Sequence, residues 1–289
     1  MGEFAPCPAE ALKAAEAACG SPVELTEITD RRGSAVWKAT GAVATVAIKH
    51  GYGEGGETTA REATVLDQLA GYTVVSGQAT EGVWYVTPWL DGPSTWKVFA
   101  PVRKGGESGG RQRNCDTPAL AGAVELCRAV ADLHAAGWVH GDLQPSHGVH
   151  TGSGAKLIDF AWSWHKATQT APWPKFYGGI THLVAPELAA WIVDGPQPVT
   201  PSGPSDIYAL AGVLWTCVTG RWPLDYRAAD IGPDTGPADR RAVIATGEIP
   251  LDSATPWPAL QDVLRPVLLA GPDDRPTAAE LGDTLASLP

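Results

Sequence analysis

Basic residues are scarce in this chain: 21 Lys and Arg stand against 32 Asp and Glu, a formal charge of -11 over 289 residues. No overall positive field exists to draw in a nucleic-acid backbone, so nucleic acid is not an expected partner. The same deficit repels small polyanions, and any site for one must rest on local cations and on a bound metal. Cysteine is also sparse. Cys7, Cys19, Cys115, Cys127 and Cys217 are odd in number, widely spaced and free of CxxC pairs. That spacing argues against a disulfide framework and a zinc-finger site and suits a reducing cytoplasm. Residues 1–20 carry Glu3 and no basic cluster ahead of an apolar run, so a signal peptide is not expected, and 8–19 reads as a short helix. The longest uncharged apolar run, 207–218, is about twelve residues. That length suits a buried core helix, whereas a membrane span needs ~20, so a soluble protein without a membrane partner is expected. No repeat of 20–50 residues is present, which excludes solenoids and propellers.

The length admits about two domain-sized cores of ~100–200 residues each. Residues 23–49 alternate and are rich in β-branched side chains, with breaks at 30–33 and 40–41, which predicts three antiparallel strands. A glycine-punctuated stretch at 51–56 precedes a helix over 58–69, in which Ala63, Leu66 and Leu69 share a face. Strands at 72–76 and 82–90 complete a five-strand, one-helix region ending near residue 91. The basic, Gly-rich segment 103–114 lacks apolar periodicity and reads as a flexible loop. Helical periodicity then dominates, over 119–136, 188–193, 207–219, 257–269 and 277–288. The expectation is an α+β chain with a helical extension (1–22), a small sheet-bearing lobe (23–91) and a mainly helical lobe (92–289).

Three segments carry candidate chemistry. Val46, Ala47, Ile48 and Lys49 end an apolar strand on a single cation, and Glu62 on the following helix is placed to pair with it. His140, Gly141, Asp142, Leu143, Gln144 and Pro145 follow an apolar helix and precede Lys156, Leu157, Ile158, Asp159, Phe160 and Ala161. Two carboxylates thus stand on loops flanking a strand pair, where one can accept a hydroxyl proton and the other can hold magnesium.

These segments resemble the lysine strand, catalytic loop and metal-binding loop of the protein kinase superfamily. The likeness continues in order through Ala185-Pro186-Glu187, which lies 26 residues beyond Asp159 (185 − 159). It extends through residues 206–214 and 219–223, and Pro272-Asp273-Asp274-Arg275-Pro276-Thr277. It spans nearly the whole chain and implies a bilobed kinase-like fold, ATP and Mg2+ as cofactors, and a protein or peptide acceptor. By that resemblance Asp142, Lys49, Glu62 and Gln144 serve catalysis, and Asp159 and His147 face the metal. Lys49, Val36, Ala47, Thr87, Trp89, Arg31 and Gly33 seat the nucleotide. Glu187 is expected to pair with Arg275, and Asp206 to accept backbone hydrogens of the catalytic loop.

The pattern is broken in places. The hairpin expected to cover phosphates, residues 29–34, holds one glycine, Gly33; Arg31 and Arg32 either replace lost amide contacts with charge or form a solvated turn. His147 stands where the family carries an asparagine, and imidazole is a poorer ligand for magnesium than oxygen. Gln144 replaces a lysine, removing a cation from the γ-phosphate, and Gly141 and Ala161 replace an arginine and a glycine. A zinc reading of His140, His147 and His150 lacks a fourth ligand. Trp162, Trp164, Trp173 and Tyr177 either pack internally or form an apolar platform for a peptide. Three functions remain open: a Ser/Thr kinase acting on protein or peptide, a small-molecule or pathway-dedicated kinase, and a pseudokinase that binds without chemistry.

Overall fold

A computed structural model describes residues 4–107, 113–165, 167, 176 and 178–289. It divides into two compact units, Met1–Leu90 and Asp91–Pro289.

In the first unit, helix α1 (Ala9–Cys19) precedes strands β1 (Glu24–Arg31), β2 (Ser34–Thr40) and β3 (Thr45–Gly51). Helix α2 (Gly55–Gln68), β4 (Val75–Gln78) and β5 (Val83–Pro88) follow. The strands form one antiparallel sheet in the order β1-β2-β3-β5-β4. Strand residues alternate between faces, so Ala35, Trp37, Ala39, Val46, Ile48, Trp84 and Val86 fall within one core cluster. Ala11, Ala15 and Cys19, four residues apart on α1, close that cluster. Their small side chains let the helix approach Trp37 and Trp84. Through these residues helix α1 packs into the core of the first unit. Helix α2 starts three residues ahead of the expected 58, because Gly55 and Gly56 open it where a Cβ on Gly55 would collide with the Gly33 carbonyl. The fourth strand begins at Val75, later than the expected 72, because the Tyr72 amide donates to Leu69 and closes the turn that ends α2.

The second unit is mainly helical. Helices α3 (Thr95–Val98), α4 (Ala100–Glu107) and α5 (Arg113–Ala135) lead to β6 (Trp138–Val139), the hairpin β7 (Gly148–Thr151) and β8 (Gly154–Leu157), and β9 (Trp164–His165), which pairs with β6. Then come α6 (Pro186–Asp194), α7 (Gly203–Thr219), α8 (Pro237–Ile244), α9 (Pro258–Leu269) and α10 (Ala278–Ala286). The apolar run at 207–218 lies in α7, where every residue from Ser205 to Val218 is buried. A Ser202/Ser205 capping box starts this helix and Gly220, at φ 72°, ends it. Such a helix, buried on all sides, is the axis of a core. No helix among the described residues is long and apolar enough to cross a membrane.

The segment expected as a loop at 103–114 is helical at both ends, within α4 and α5, while 108–112 lie outside the described residues. Its basic residues disguise an anchor. The Arg103 guanidinium donates to the Cys217 and Trp96 carbonyls, both at 2.7 Å, and stacks over the Trp96 ring at 3.5 Å. Helices α3, α4 and α8 have no counterpart in the sequence reading; each is eight residues or fewer, too short for periodicity to register.

Candidate functional site

In the first unit the Lys49 ammonium meets the Glu62 carboxylate at 2.5 Å. The lysine is pinned between strands, paired across to Val36 on β2 and Tyr85 on β5. Glu62 is almost fully buried on α2, so its charge depends on this partner. Directly paired residues share a face. Val36 and Lys49 therefore share the sheet face opposite Trp37 and Ile48, and so do Ala47 and Thr87. Four of the seven expected nucleotide contacts are thereby collected on one surface. The Thr87 hydroxyl donates to the Thr73 carbonyl. Trp89, just past β5, lies under the Lys38 ammonium at 4.9 Å.

The β1–β2 hairpin turns through Arg32 and Gly33, at φ 53° and 72°, with Arg31 paired to Ser34. Two successive positive φ values define the tight turn that follows strand twist. Gly33 is required there by conformation and by contact, since a Cβ would strike the Tyr52 carbonyl and Gly55. The lone glycine thus serves the turn, and Arg31 and Arg32 stand exposed.

In the second unit, residues 140–147 run from β6 to β7, with 158–159 beside them. His140 is fully buried; its Nε2 donates to the Ile158 carbonyl and its Nδ1 accepts from the Asp142 amide. Burial pushes its pKa down to about 4, so the ring is neutral and acts as a fixed spacer. Asp206 accepts from the His140 amide at 2.7 Å and the Gly141 amide at 2.9 Å, as expected, and also contacts His134 Nε2 at 3.0 Å. Gly141 has φ 76°, and a Cβ there would meet the Trp162 carbonyl. The backbone itself therefore accounts for glycine in this position.

Asp142 is held by the Gln144 amide, which donates to both carboxylate oxygens at 2.8 and 3.0 Å. Burial raises the Asp142 pKa to about 6, with Asp159 and Asp206 adding to the rise, while His147 and the Gln144 hydrogen bond oppose it. His147 Nδ1 lies 2.8 Å from the Asp142 carbonyl, and its Nε2 lies 3.5 Å from Asp159 Oδ2. Asp159 adopts φ 67°, ψ 64°, a left-handed conformation that aspartate tolerates better than most residues. Among the described residues, Asp142, His147 and Asp159 form a group able to hold a metal, with ligand atoms within 4.8 Å of one another.

The zinc alternative is corrected by the geometry. His150 is engaged by Glu125 at 2.9 Å and Thr95 at 3.0 Å, and His140 by Ile158, so the three histidines do not face one ion. Arg275 forms the expected pair with Glu187, bidentate at 2.6 and 2.8 Å. Trp162 packs edge-on against Phe176 and Trp164 lies in β9, whereas Trp173 and Tyr177 lie outside the described residues. The sequence reading missed Gly179, whose missing side chain leaves room for the Asp142 carboxylate: a Cβ there would overlap Oδ1. The doublet Gly178-Gly179 was the available signal.

No family model matches the chain. It is 31% identical over 230 residues, 77% of its length, to a probable serine/threonine-protein kinase, PkwA, from Thermomonospora curvata. That likeness supports a kinase-like relationship. The matched stretch covers 27% of PkwA, so the chain spans about a quarter of that relative's length. The five-strand antiparallel sheet and the helices that accompany it are compatible with a kinase-like fold.

Proposed function

We propose that the protein is an ATP-dependent phosphotransferase that phosphorylates Ser or Thr hydroxyls of a protein or peptide in the cytoplasm. The observation that carries this reading is Asp142: a buried carboxylate with its pKa raised to about 6, oriented by Gln144 beside the His147 and Asp159 ligand atoms. A group poised near neutrality suits acceptance of a hydroxyl proton. Phosphoryl transfer asks little more of a protein than aim and charge. Lys49, fixed by Glu62, supplies a cation for the α and β phosphates, and Val36 and Ala47 offer apolar surface on the same sheet face. Asp159 and His147 would hold a divalent cation, which when bound with ATP screens the phosphate charge. Asp142 orients the acceptor hydroxyl and takes its proton, and Gln144 keeps the carboxylate turned toward it.

The likeness to PkwA and the Glu187–Arg275 pair favour a polypeptide acceptor over a metabolite. A second reading, a pseudokinase that binds without transfer, draws support from Gly33, which is committed to its turn and leaves the hairpin without a free glycine.

The test is incubation with γ-labelled ATP, a divalent cation and parallel pools of protein, peptide and small-molecule acceptors. Label is expected on Ser or Thr of a polypeptide. Transfer should fall by a factor on the order of 10²–10⁴ in Asp142→Asn and decline below about pH 6 as Asp142 protonates. Label confined to small molecules, or transfer that survives both Asp142→Asn and Asp159→Asn, would contradict the assigned roles.

A further inference from the structure

The metal group holds a feature that magnesium does not explain. A backbone carbonyl can only accept, so the 2.8 Å contact between His147 Nδ1 and the Asp142 carbonyl places the ring proton on Nδ1. That hydrogen bond fixes the ring and leaves Nε2 as the atom turned toward the other members of the group. His147 is only 7% exposed, and its Nε2 faces Asp159 Oδ2 at 3.5 Å, beyond the usual hydrogen-bond length. Other histidine–carboxylate contacts in this unit close fully, His134 on Asp206 at 3.0 Å and His150 on Glu125 at 2.9 Å. A 3.5 Å gap between two ligand atoms, with an Asp142 ligand atom within 4.8 Å of both, is one that a cation can span. Ligand atoms each about 2.0–2.2 Å from an ion stand roughly 3–3.5 Å apart, which fits the gap.

We infer that His147 and Asp159, with Asp142 close by, form a seat for a first-row divalent transition ion such as Mn2+ or Co2+ in preference to Mg2+. The inference rests on the function proposed above and specifies its metal. Magnesium demands a near-octahedral shell of oxygens and gives up water reluctantly. Imidazole nitrogen is a borderline donor, favoured by transition ions in the order Mn2+ below Fe2+ below Co2+. Three protein groups leave positions open for phosphate oxygens, so the seat is of the open kind that accepts a second ligand.

The experiment measures metal binding directly. Loss of the free-ion Mn2+ electron paramagnetic resonance signal gives the Mn2+ affinity of the full chain, and competition gives those of Mg2+ and Co2+. Each is measured with and without a non-hydrolysable ATP analogue. Wild type is expected to prefer Mn2+ over Mg2+ by about tenfold or more, and Co2+ further still. His147→Asn should erase most of that preference by weakening Mn2+ and Co2+ far more than Mg2+, whereas Asp159→Asn should weaken all three. Pulsed resonance on wild type should show nitrogen coupling to bound Mn2+, a readout that stands even where the variant fails to fold. Equal affinities in wild type, or no nitrogen coupling, would overturn the inference. A His147-dependent preference that the ATP analogue does not alter would leave the seat standing and count against the phosphotransferase reading. Nucleotide binding without metal preference would do the reverse.

Discussion

Asp142→Asn is expected to be more stable than wild type at pH 7.5 while transferring phosphate on the order of 10²–10⁴ times more slowly. The folded protein raises the Asp142 pKa to about 6, chiefly by burial, from an ordinary aspartate value of about 3.8. A raised carboxylate pKa means that the folded state binds more protons than the unfolded state between those two values, so stability from this group falls as pH rises through that window. Above about pH 6 the penalty is complete and amounts to about 2–3 kcal/mol, at 1.36 kcal/mol per pKa unit. Asparagine removes the buried charge and keeps an oxygen that Gln144 can donate to. Denaturant melts should therefore show a small gain for the variant near pH 5 and a larger one at pH 7.5. A gain independent of pH would mean that the carboxylate titrates normally. Wild type tolerates the buried charge, on this account, because catalysis needs it there.

The second large effect belongs to Asp206, which touches no substrate in this account. Its carboxylate is 2% exposed and receives the amides of His140 and Gly141. Asp206→Ala would leave two buried N–H groups unpaired, at about 1–3 kcal/mol each, for a loss of about 2–6 kcal/mol in denaturant melts. His134 would lose its partner as well. Because these amides fix the entry to the 140–147 loop, transfer should fall even at temperatures where the variant is fully folded. Asp206→Asn keeps one acceptor oxygen and should lie between. A folded Asp206→Ala protein with wild-type turnover would show that the loop holds its shape without this anchor.

Much of this was legible in the chain itself, for identifiable reasons. The alternation of Val46, Ala47, Ile48 and Lys49 gave β3, and the uncharged run at 207–218 gave α7, because period and composition both reflect burial. The Glu187–Arg275 pair and the Asp206 contacts came from the kinase resemblance, since residues 88 and 65–66 positions apart in sequence carry no local signal. Short helices escaped for want of periods, and 103–114 misled because Arg103 looks like a loop cation when it in fact anchors on Cys217. The role of Gly33 in a tight turn, the room that Gly179 leaves for Asp142, and the ring orientation of His147 depend on backbone angles and contacts that composition does not encode.

The central claim of the proposal is that nucleotide binding depends on the Lys49 ammonium and, through a bound cation, on Asp159. Its direct measure is calorimetric affinity for a non-hydrolysable ATP analogue with a divalent cation, in wild type, Lys49→Met, Asp159→Asn and the double variant. Loss of a charged contact worth about 1.5–3 kcal/mol should weaken binding about 10- to 100-fold in each single variant. In Asp159→Asn the loss should vanish when the cation is left out. Full-strength nucleotide binding in either single variant would contradict the account.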